Sequence, residues 1–177
     1  VSMWYGSTVK ESIIFGCRTV VGRTPLGHRA TITMKDLPFD IHCHVRTDGL
    51  ACCVIASQNY PPRVAFGLAF NTMDFFDKKI GDKWKNQQRD LFLEPEVLKK
   101  DLDLFQDPKN DKMCKIQADL DNIKDIMRQN IEEILKRGES LEGLLEKSTD
   151  LSESSKQFYE KSEDLNSCWR RWGCSIM

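Results

Sequence analysis

Sixteen positions between Met113 and Leu165 alternate three and four apart, and the eighth of them is an arginine. The rungs are Met113, Ile116, Leu120, Ile123, Met127, Asn130, Ile134, Arg137, Leu141, Leu144, Ser148, Leu151, Ser155, Phe158, Ser162 and Leu165. This spacing lays every rung on one seam of an under-wound helix, the a/d pattern of a coiled coil. Such a seam is too narrow to serve a globular core. A guanidinium inside it is too costly to leave unpaired, so partner helices must bring acceptors to the level of Arg137. Neutral amide oxygens suit that layer, because they satisfy the planar fork without desolvating a second ion. A polar layer of this kind fixes register.

Eleven rungs are apolar. At roughly 1.5–3 kcal/mol per buried side chain their gross burial is on the order of 16–33 kcal/mol, none of it realised by a solitary helix in water. The seam is therefore expected to be frayed or folded back until partners arrive. Ser148, Ser155 and Ser162 thin its second half. They are open to phosphorylation while the seam is unpaired, and a phosphate there blocks packing.

The seam fills the C-terminal third of 177 residues, leaving enough chain for one modest core. No apolar run reaches the roughly 18 residues of a membrane-spanning helix. Residues 111–166 carry 14 acidic and 9 basic side chains, and Arg170 and Arg171 leave the chain end only mildly positive, which argues against nucleic acid and is compatible with an anionic membrane surface. Seven cysteines, an odd count without regular spacing, point to a reduced, cytosolic chain rather than a disulfide scaffold. The sequence opens on Val1, and the expectation is that it is incomplete at its N-terminus.

Upstream of the seam, apolar positions Val9, Ile13, Ile14, Cys17, Val20 and Val21 predict a helix over 7–22 with Ser7 as N-cap. A turn at 23–27 leads to three strand-like runs at 29–35, 40–47 and 50–57. Asp48-Gly49 joins the last two as a hairpin signal. Pro62 opens a predicted helix over 62–79, residues 80–95 are expected to loop, and 95–105 form a short helix ended by Asp107-Pro108. The order is α+β, an antiparallel sheet flanked by helices, followed by one long coiled-coil helix.

The seam with its central arginine, KIQADLDNIKDIMRQNIEEILKRGESLEGLLEKS, resembles the SNARE motif of R-SNAREs. The resemblance implies a parallel four-helix bundle in which Arg137 meets glutamines from three Q-SNARE helices. The chain ends Cys174-Ser175-Ile176-Met177, a C-a-a-X pattern whose methionine favours farnesyl. One prenyl chain holds a membrane weakly, so a second signal is expected. Cys168 is a candidate palmitoylation site, with a plain thiol as the alternative, and Trp169-Arg170-Arg171-Trp172 suits an anionic interface. Together with HVRTDGLACCVIASQNYPPRVAFGLAF at 44–70, these features resemble the prenylated longin R-SNAREs.

That family implies a longin-like (profilin-like) domain over 1–106, a linker at 107–112, the SNARE motif at 113–166 and a lipid-anchor tail at 167–177. It implies vesicle-membrane fusion in ER–Golgi, endosomal and vacuolar transport, on the cytosolic face of Golgi and vesicle membranes. It also implies regulation by docking of the seam on a longin groove, placed here at Ile13, Phe15 and Ile32. Two departures stand out. The family carries adjacent cysteines before its last three residues, whereas Gly173 precedes Cys174 here. A longin domain also begins with a β-hairpin, for which Val1–Gly6 is too short.

No enzyme is expected: the chain has no triad spacing and no phosphate-binding glycine loop. His42 and His44 lack further ligands at metal-like spacing, so they are assigned to packing and no metal or other cofactor is expected beyond a covalent farnesyl. The alternative from another class is a lipid-anchored coiled-coil tether or scaffold without fusion activity.

Overall fold

The computed structural model describes residues 2–33, 39–86, 95–106, 126–136, 139–149 and 151–160. Helix α1 (Ser2–Arg23) is followed by strands β1 (Arg29–Thr33), β2 (Phe39–Val45) and β3 (Ala51–Ser57). Next come α2 (Pro62–Ile80), a 3-10 turn at Gly81–Asn86 and α3 (Pro95–Gln106). The C-terminal part contributes β4 (Ile126–Asn130) and three short helices, α4 (Ile131–Ile134), α5 (Leu141–Lys147) and α6 (Glu153–Glu160).

The strands form one sheet in the order β3-β2-β1-β4. The predicted antiparallel pairs are present, with Ile32 opposite Ile41 and Cys43 opposite Cys53. The hairpin turns at Asp48-Gly49, where Gly49 takes φ 92°, a left-handed conformation that suits a residue without Cβ. Asp48 Oδ1 accepts from the Leu50 N–H at 3.1 Å, and the Arg46 guanidinium pairs with Asp48 and with Asp77 of α2. β4 lies parallel to β1, Met127 beside Ala30 and Gln129 beside Ile32, so the sheet is mixed rather than wholly antiparallel.

Side chains alternate across the sheet, as extended backbone requires. One face carries Ala30, Ile32, Phe39, Ile41, Cys43 and Val45, packed with Val20 of α1 and Ile131 of α4 in a single core cluster. The other face carries His42 and His44 against α2. His42 meets the Phe66 ring edge-on at 5.7 Å, and His44 lies tilted on Phe70 at 4.9 Å. Both histidines are buried, as their assignment to packing expected. Val64, Leu68 and Phe105 form a second cluster that seats α3 on α2.

Two predicted elements differ. α1 begins at Ser2, so Ser7 lies inside it and is no N-cap. Once a helix is nucleated, extending it backward costs little. The single long helix expected over 113–165 is not formed in the described part of that segment, which holds one strand and three helices of four, seven and eight residues. The physical reason is the one that makes the seam depend on partners. Without other helices its apolar residues lower their free energy only by covering another surface, and β1 and α1 supply that surface.

Candidate functional site

The candidate site is the face on which the C-terminal segment lies. At its first contact, β4 supplies the strand that β1 otherwise lacks on that side, pairing over five residues from Arg29–Ile126 to Thr33–Asn130. The unpaired polar groups of a strand edge outweigh the weak helical preference of a short stretch such as IMRQN. Asn130 then caps α4: its N–H donates to Glu133 Oε2 at 3.1 Å, completing a capping box. The box turns Ile131 inward to 5 % exposure, and Leu135 to 8 %. Met127 and Ile134 pack against the same core from its margin.

The second contact is polar. Arg23, in the last turn of α1, holds Glu139 through Nη2–Oε2 at 2.8 Å. Ser140 caps α5, its side chain accepting from the Gly143 N–H at 3.0 Å.

The third contact is a clasp. Glu11 Oε2 accepts from Ser155 Oγ at 2.6 Å, Ser152 Oγ at 2.7 Å and the Ser152 N–H at 3.2 Å. Ser155 is fully buried. Hydrogen bonding, first from the Ser155 side chain and then from Ser152, holds the Glu11 carboxyl below the usual range against an opposing effect of burial. A carboxylate from α1 thus sits at the start of α6, where the free N–H groups and the helix dipole favour negative charge. Beside the clasp, Glu11, Ile14, Phe15, Arg18 and Thr19 of α1 face Ser148 and Leu151 across a groove of about 400 Å³.

The proposed groove residues fall in different places. Phe15 lines this groove, Ile32 lies wholly inside the core cluster, and Ile13 is half-buried on α1 outside the groove lining. Of the seam, Met127, Ile134, Leu144 and Ser148 are half-buried, Leu151 and Ser155 are buried, and Asn130 is exposed. Leu141 opens α5 and Phe158 lies in α6. Met113, Ile116, Leu120, Ile123, Arg137, Ser162, Leu165, Cys168 and Cys174 lie outside the described residues.

The periodicity missed Glu11, Ile131, Leu135 and Leu145, all of which take part in or pack beneath this face. Three of them had a signal. Counted from Met113 as position a, Ile131 and Leu145 fall at e, beside the seam, and Leu135 at b, on the side turned away from it. Apolar residues there mark a second packing mode.

A longin-type fold with a separate heptad segment laid on it defines a class, the longin SNAREs, and comparison with known proteins agrees. The family model for the regulated-SNARE-like (longin) domain matches residues 4–93, and that for synaptobrevin matches residues 112–177. VAMP-like protein YKT61 of Arabidopsis thaliana is 37% identical over 172 residues, covering 97% of this chain and 82% of the relative. VAMP-like protein YKT62 of the same plant is 37% identical over 167 residues, covering 93% and 81%. Synaptobrevin homolog ykt6 of Schizosaccharomyces pombe is 35% identical over 169 residues, covering 94% and 84%. The chain belongs to the YKT6-type longin R-SNAREs. It serves vesicle trafficking and membrane fusion through its SNARE segment, and it is not an enzyme. Among the described residues no helix is long and apolar enough to cross a membrane, and no three His, Cys, Asp or Glu side chains are arranged to hold a metal ion.

Proposed function

We propose that the 113–165 segment exchanges its present contacts for three Q-SNARE helices, zippering with them from its N-terminal end into a four-helix bundle with Arg137 at the central layer. The observation that carries this reading is the double use of one segment. Met127, Ile134, Leu151 and Ser155 are rungs of the heptad seam, and each is packed here against the α1 side of the molecule. A rung buried on α1 is not free for a bundle, so docking on the longin domain and assembly with partners exclude each other. The longin domain is then a regulator that withholds the seam until partners compete for it.

A farnesyl on Cys174 joins the chain to the cytosolic face of Golgi and vesicle membranes, with Cys168 or the Trp169–Trp172 stretch as the second attachment. The prenyl chain transmits the pull of zippering to the bilayer.

The test is assembly of the full chain with three Q-SNARE helices. An SDS-resistant complex of one arginine and three glutamine helices is expected, and Arg137→Ala should lower its melting temperature and loosen its register. Self-association through the seam, indifferent to Arg137→Ala, would instead establish a coiled-coil tether. Mass spectrometry of the chain from eukaryotic cells should find farnesyl on Cys174, lost in Cys174→Ser together with membrane recovery.

A further inference from the structure

Three thiols meet where α1 packs on the sheet. Cys43 of β2 and Cys53 of β3 are register partners, and the backbone bonds around the hairpin decide what kind of pair they make. The Arg46 N–H donates to the Leu50 carbonyl at 2.8 Å, so the pair next to Val45–Ala51 is hydrogen-bonded. Antiparallel ladders alternate between the two kinds of pair. His44–Cys52 is therefore hydrogen-bonded, while Val45–Ala51 and Cys43–Cys53 are not. The opposite side agrees: Val45 donates to the His28 carbonyl at 3.0 Å and accepts from the Gly27 N–H at 2.9 Å, which turns its polar groups, and those of Cys43 two residues away, toward β1.

A non-hydrogen-bonded pair brings its Cα atoms to about 4.5 Å, inside the roughly 4.4–6.8 Å over which a disulfide closes. Cys17 of α1 and Cys53 pack against the core cluster that contains Cys43. Cys43 has no solvent exposure, whereas Cys17 and Cys53 are half-buried.

We propose that Cys17, Cys43 and Cys53 form a redox site in which hydrogen peroxide oxidises Cys17 and the oxidation passes inward to a reversible Cys43–Cys53 disulfide. The Cys17 sulfur attacks one peroxide oxygen and the O–O bond breaks. Cys17 becomes a sulfenic acid, and the departing hydroxide takes up the thiol proton as water. The Cys53 sulfur attacks the Cys17 sulfur, an S–S bond replaces the S–O bond, and a second water leaves with the Cys53 proton. Cys43 then attacks Cys53, and Cys17 departs as a thiol carrying the proton from Cys43. In sum two thiols lose two electrons and two protons, and one peroxide becomes two waters. Hydrogen bonding to Cys53 lowers the Cys17 thiol against the effect of burial, which suits it both to enter the sequence and to leave it. A dithiol reductant reverses the change.

Treating the full chain with hydrogen peroxide, alkylating the free thiols and mapping the peptides without reduction tests the site. The expected product has lost two hydrogens, links the peptides of Cys43 and Cys53, carries alkylated Cys17, and returns to the starting mass with dithiothreitol. Cys17→Ser should slow its formation several-fold, and Cys43→Ala should trap a Cys17–Cys53 link instead. Circular dichroism of each variant establishes that it is folded, and the mapping of the unmodified chain stands without the variants. No linkage, or linkage only through Cys52, Cys114, Cys168 or Cys174, overturns the proposal.

Discussion

At the residue scale, two ionisable groups mark the two faces of the sheet. Glu11 receives three hydrogen bonds from the start of α6. Glu11→Ala should speed amide exchange across residues 152–156 while leaving the Ile41–Val45 amides of β2 unchanged, as measured by mass spectrometry. Because its carboxyl is depressed, the Glu11 contribution is present above the ordinary glutamate range and is lost as pH falls through the folded-state value. His42 is also depressed, but as a base. Burial pushes it down from 6.5 to about 4, and its Nδ1 shares a hydrogen bond with Thr31 Oγ1 at 3.0 Å. Over that interval the unfolded chain binds the proton and the folded chain does not, so stability falls with falling pH. A flat profile above pH 6.5 and a loss of about 3 kcal/mol on the way to pH 4 are expected in chemical denaturation. His42→Gln should reduce that slope, leaving the smaller part due to His44, which burial also depresses, and the acid arm due to carboxylates.

At the element scale, strand alternation and turn chemistry were legible. The three strands, the Asp48-Gly49 turn and the two helices begun by Pro62 and Pro95 lie where pattern and punctuation place them. Gly49→Ala forces a side chain into the left-handed region and should cost about 1–2 kcal/mol of folding free energy, read as a shifted denaturation midpoint. What pattern did not show is the breakup of the seam. Heptad spacing reports a coiled-coil preference, but the strand formed by Ile126–Asn130 depends on the edge of β1, nearly a hundred residues away in sequence. Leu135 separates the two states. It is buried in the docked state yet lies off the seam, so Leu135→Ala should weaken docking by about 2–4 kcal/mol and leave the melting temperature of the partner bundle unchanged. Ile134→Ala, on the seam, should weaken both. Comparing exchange protection of the free chain with melting of the assembled complex checks the contrast.

At the scale of the whole molecule, the proposed function gives one polypeptide two incompatible ways of burying the same apolar residues. The SNARE segment itself was readable from sequence, because its heptad spacing is long and regular, and the synaptobrevin model matches residues 112–177. Its docked arrangement was not, because the Glu11 clasp and the Arg23–Glu139 pair join residues more than a hundred apart, and no local pattern encodes such a meeting. Limited proteolysis should cut within 126–160 slowly in the free chain and rapidly once those contacts are loosened by Glu11→Ala together with Leu135→Ala. Because the C-terminal segment enters the sheet as a strand, its departure leaves a five-residue scar along β1, with backbone donors and acceptors facing water. The open molecule is consequently the sticky one. On the proposed reading, a chain freed after a round of fusion gains most by laying the same five residues back into that vacancy, and the fold then carries its own means of return.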